Sequence, residues 1–107
     1  MAFELSNKAL QITQATYGND HPHYASALVL LARANAALSR IEEARALHEK
    51  ALALREKNLN SKHPDTADSL YQLALISTHE NQLTTAEPLL KRAIEIWETA
   101  GSDFQLN

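Results

Sequence analysis

An all-helical solenoid built from antiparallel helix pairs is the fold this sequence predicts, and three observations carry it. The frame His-Pro-x-x-Ala occurs at His21 to Ala25 and again at His63 to Ala67, an offset of 42 residues. The same shift lays Leu5 on Leu47 on Leu89, Ala2 on Ala44 on Ala86, and Ala9 on Ala51 on Ala93. Only two Gly and three Pro interrupt a chain dominated by good helix formers, Ala, Leu, Glu, Lys and Gln. A fixed period of this length marks stacked units, each burying its apolar face only against its neighbours.

The elements follow in order from that register. Two helix types alternate: a B type with three copies and an A type with two, the latter aligned by Leu28 on Leu70, Leu31 on Leu73 and Ala32 on Ala74. The predicted spans are 2–17 (B), 22–38 (A), 42–58 (B), 64–80 (A) and 84–100 (B). The array thus fills 1–100, and 101–107 forms a tail. Pro22 and Pro64 suit the first position of the A helices, where a missing N–H costs nothing and φ is already helical. Asp65 adds negative charge at the positive end of its helix. Gly18 and Asn60, at one repeat position, are expected to close the B helices in the left-handed conformation. Ala32, Ala44, Ala51, Ala74, Ala86 and Ala93 let facing backbones approach, with larger residues interdigitating around them. Glu87, Lys91 and Glu95 form a solvated charge run worth a few tenths of a kcal/mol per pair, at about 0.2–0.5 each.

Composition narrows the function classes. At 107 residues the chain makes one domain, burying roughly 65% of its unfolded surface. Ten Lys+Arg against thirteen Asp+Glu give a net charge of −3, without the basic stripe that phosphate backbones demand, so no nucleic acid partner is expected. With no Cys there is neither disulfide nor thiolate chemistry. No basic leader precedes an apolar segment and no run approaches the ~20 apolar residues of a membrane span, so the reading is a cytoplasmic chain with no membrane partner. Neither a Gly-rich phosphate loop, nor a nucleophile beside a base, nor a His-Glu-x-x-His helix is present, and the expectation is no enzyme and no cofactor. Asp20, His21 and His23 are close in sequence, yet His21 and His63 share one repeat position before a Pro, so capping accounts for them and no metal is expected.

The strings Leu28-x2-Leu31-Ala32 with Ala44-x3-His48-x2-Ala51, and Leu70-x2-Leu73-Ala74 with Ala86-x3-Leu90-x2-Ala93, resemble tetratricopeptide (TPR) repeats. The 42-residue period in place of 34, the His-Pro frame and the string Ala86-Glu87-Pro88-Leu89-Leu90 through Glu98 are similar to the kinesin-light-chain type of repeat. The resemblance spans about 2–100 and implies an αα superhelix that binds a protein or peptide on the concave face of its A helices. It also implies a pair of peptide-holding Asn between the two Leu of each A helix. Here those positions hold Val29-Leu30 and Tyr71-Gln72, and His48 fills an aromatic slot.

The A-helix residues pointing away from their B partners give the candidate groove: Ser26, Val29, Leu30, Arg33 and Ala37, then Asp68, Tyr71, Gln72, Leu75 and His79. Tyr and Arg supply the wide contact and fixed donors that interface hot spots favour. Against this, Val29, Leu30 and Leu75 also suit packing between A helices. The array starts and finishes on B helices, so its flanks are candidate self-association surfaces: Phe3, Leu5 and Ile12 at the front, Leu90, Ile94 and Trp97 at the back. Phe104 and Leu106 of the tail are candidates to cover the latter. The alternative to a binding module is therefore a structural or self-pairing segment of a larger protein, including a sensor array beside a nucleotide-switch domain.

Overall fold

The computed structural model describes residues 2–105, with side chains through residue 100. Among these residues five helices succeed one another: α1 (Ala2–Tyr17), α2 (Pro22–Ala37), α3 (Ile41–Asn58), α4 (Pro64–His79) and α5 (Leu83–Gln105). Among the described residues there is no strand, and no helix is long and apolar enough to cross a membrane. The principal packings pair α2 with α3 and α4 with α5, while α1 rests on α2 and α4 on α3. The outcome is a flattened stack of 41 × 35 × 21 Å.

Each A helix starts on a histidine cap. The Nδ1 atoms of His21 and His63 accept hydrogen bonds from the backbone N–H of His23 and Asp65, both at 3.0 Å, with Pro22 and Pro64 next in sequence. Each cap satisfies one of the four orphan donors of the first turn. The far ends match as well. Ser39 (φ 63°) and Asn81 (φ 62°) are left-handed, and the next N–H reaches back five residues, Arg40 to the Asn35 carbonyl and Gln82 to the Ser77 carbonyl, at 2.8 Å each. This is the double-bonded helix stop that ties off the last carbonyls.

The B helices end in two different ways, which corrects the expectation that Asn60 matches Gly18. Gly18 is left-handed (φ 84°), but Leu59 is extended and Asn60 is not left-handed. Instead Asn60 Oδ1 accepts from the Lys62 N–H (2.9 Å) and its carbonyl from the His63 N–H (2.8 Å). A side chain that forms its own turn removes the need for a strained backbone. A second correction concerns the C-terminal end, where α5 runs through Gly101 to Gln105 beyond the predicted stop at 100. One Gly costs a helix only about 1 kcal/mol, and no Pro or second Gly follows to end it. The packing expected of Phe104 and Leu106 lies outside the described side chains.

The core is a spine of alanine. Ala25, Ala32, Ala44, Ala51, Ala67 and Ala93 are fully enclosed, with Leu28 and Leu70 wedged beside them at equivalent repeat positions. Because the A helices pack mainly on B helices, a furrow is left between α2 and α4 and another between α3 and α5.

Candidate functional site

The furrow between α2 and α4 is where the candidate residues are sorted. Arg33 and Ala36 of α2 face Gln72, Leu75, Ile76 and His79 of α4 across a cavity of about 550 Å³, with Ile41 and His48 of α3 as part of its lining. Arg33, Leu75 and His79 are exposed and Gln72 is half-buried, so four of the candidates converge here. Leu30 and Ala37 are exposed on α2 outside the lining.

Val29 does not belong to a groove. It is 7% exposed and packs in the cluster of Tyr24, Ala25, Leu28 and Ala51, so α3 covers it. Tyr71 stands one repeat on from Val29 but is only half-buried. It rests on the α4–α5 core and lies edge-on to Trp97, ring centroids 5.5 Å apart. Tyr71 and Arg33 therefore serve different surfaces.

Ser26 and Asp68 are drawn into a polar network centred on Arg55, which stands one repeat before Trp97. Arg55 is 5% exposed. It donates to the Asp65 carbonyl (2.9 Å), to Ser69 Oγ (3.0 Å) and to Ser26 Oγ (3.5 Å), and it faces the Asp68 carboxylate at 3.6 Å. One guanidinium thus ties α2, α3 and α4 together, using the planar fork for which arginine is suited. The signal was present in the register: an Arg beneath a Trp in the next copy is a position whose neighbours differ.

His48 is the second buried polar group there. It is 2% exposed and its Nδ1 has no hydrogen-bond partner. Burial, the main cause, holds its pKa below the ordinary 6.5; Asp68 opposes this, and Arg55 and Arg33 add to it. Its imidazole is therefore neutral in the resting protein.

The His21 corner is structural. Tyr17 stacks on His21 at 4.5 Å and meets His23 edge-on at 4.7 Å. Asp20 bridges to the end of α3 through Lys57 (2.7 Å) and Asn58 (3.1 Å), and the Lys57 bond, foremost, holds its carboxyl below the ordinary range. Among the described residues no three His, Asp or Glu gather as metal ligands do.

At the flanks, Leu5 and Ile12 are exposed, but Phe3 is half-buried with the Arg40 guanidinium 5.0 Å over its ring. Phe3 is thus partly covered by a cation–π contact with the residue that caps the start of α3. At the far end Leu90, Ile94 and Trp97 are all exposed. Their counterparts one repeat earlier, His48, Leu52 and Arg55, are covered by α4.

A family model described as Tetratricopeptide repeat matches residues 1–57 and 25–99. Clustered mitochondria protein homologs from Danio rerio and Homo sapiens are 38% and 36% identical over 90 residues. Each match takes in 84% of this chain, which spans only 6% and 7% of those relatives. A crystal structure of the Podosopora anserina putative kinesin light chain, with nearly identical TPR-like repeats, superposes at a TM-score of 0.82 and 30% identity. It covers 92% of this chain and 46% of that one. BtubC (BKLC) from P. vanneervenii shares the fold at a TM-score of 0.79 and 21% identity, covering 90% of this chain and 39% of that one.

Proposed function

Because the chain belongs to the tetratricopeptide-repeat family, whose arrays mediate protein–protein interaction, we propose that it is an interaction module gripping a partner's peptide segment or helix in the furrow between α2 and α4. The observation that carries this reading is the cavity of about 550 Å³ at which Arg33, Gln72, Leu75 and His79 converge. Stacked repeats of this kind work by presenting an extended surface, and an apolar-walled cleft with a few convergent polar groups is what recognition requires. Selection of a random-peptide display library on the protein tests it. Enriched peptides are expected to lose binding to Leu75→Asp, an exposed position that tolerates charge, and to keep binding to Trp97→Gln. Peptides indifferent to Leu75→Asp would remove the furrow as the site.

A second reading is favoured by the far flank, where Leu90, Ile94 and Trp97 of α5 are exposed apolar side chains. Self-association through this face predicts a sedimentation coefficient that rises with concentration, and a Trp97→Gln variant that stays monomeric. A wild-type protein monomeric at all concentrations excludes it.

A further inference from the structure

The furrow cavity is unbalanced in charge. Arg33 from α2, Arg55 from α3, and Asp68 and His79 from α4 surround His48. Asp68 is matched to Arg55 at 3.6 Å, which leaves Arg33 without an acidic partner among the described ion pairs. No Asp or Glu lines the cavity, while Ile41, Leu75 and Ile76 give it apolar walls. Beside them stands the His48 imidazole, almost wholly buried with Nδ1 unpartnered. A buried polar group without a partner costs stability, and one that persists at a cavity wall is a candidate for completion by a ligand.

We infer that the cavity seats an aspartate or glutamate side chain of the partner peptide, its carboxylate paired with Arg33, and that His48 takes up a proton from solvent as that carboxylate arrives. The inference rests on the furrow being the peptide site. The apolar walls receive the methylenes of the acidic side chain and Arg33 receives its charge. The carboxylate adds to Asp68 a second negative charge favouring an imidazolium, against the burial and the two guanidiniums that disfavour it. Recognition is then linked to proton uptake, and affinity rises as pH falls through the range in which histidine titrates.

The test uses peptides from the display selection that depend on Leu75, synthesised with blocked termini so that side chains are the only carboxylates. Titration calorimetry is run in two buffers of different ionisation heat between about pH 6 and pH 8. An acidic residue is expected in each peptide whose replacement by Asn or Gln weakens binding roughly tenfold or more, as does Arg33→Gln on the protein. Wild type is expected to take up protons on binding. His48→Phe, which fills the same space without an orphan nitrogen, retains a bound peptide but takes up none. Leu75-dependent peptides that tolerate loss of their carboxylate, or that bind with no proton uptake, overturn the inference while leaving the furrow as the site. A selection with no Leu75-dependent peptide overturns both.

Discussion

At the scale of single residues, the energetics are set by two polar side chains enclosed in α3. Removing Arg55 leaves the Asp65 carbonyl and Ser69 Oγ unpartnered and Asp68 without its counter-ion. Urea unfolding of Arg55→Ala is expected to show a loss of about 3–5 kcal/mol, the usual cost of breaking a buried charge network. Arg55→Met, which keeps volume and drops the charge, should lose less. His48 acts in the opposite direction. Its folded pKa lies below the unfolded 6.5, so on acidification the unfolded chain takes the proton first, and stability falls as pH drops below about 6.5. Unfolding midpoints measured across that range should flatten in His48→Phe. A slope unchanged by the substitution would mean that His48 is not the group responsible. Neither role was legible from the residue alone, because a histidine in an aromatic slot and an arginine on a helix read equally well as surface. What decides is how many sides are covered, and that depends on a helix elsewhere in sequence.

Single helices were far more legible, because caps and stops are local chemistry. The His-Pro frame marked both A-helix starts, and the His21 and His63 Nδ1 acceptors explain why it recurs. The stops were less legible: Asn60 has the composition for a left-handed close, yet its own side chain makes the turn, whereas Ser39 takes the positive φ with nothing in its type to announce it. A non-glycine L-residue pays about 1–2 kcal/mol for that conformation. Ser39→Gly is therefore expected to raise the unfolding free energy by up to about 1 kcal/mol, since part of the relief is offset by the freedom glycine gains when unfolded. Asn81→Gly should gain less, asparagine being tolerant of the region. Thermal melts of the two variants compare them directly; equal gains would show that the asparagine side chain gives no advantage over serine in this conformation. The overrun of α5 past Gly101 has the same lesson, since a lone glycine is a cost and not a stop.

For the molecule as a whole, stability is a chain of neighbour contacts, because each helix is covered only by the next ones in the stack. α1 contains no fully buried residue, so native-state amide exchange is expected to show α1 opening at a lower free energy than α2 through α4. Uniform protection from α1 to α4 would contradict this. By itself the sequence determined the all-helical stack, the alternation of two helix types and the alanine spine, since a 42-residue period repeats every local choice and local choices dictate helices. Tertiary structure alone decided which of the residues on an A helix face the furrow, which face the end of the stack and which are enclosed. Val29 and Tyr71 hold the same repeat position, yet one is core and the other lies on an open flank against Trp97. Periodicity fixes the direction in which a side chain points, but burial depends on whether another helix lies in that direction.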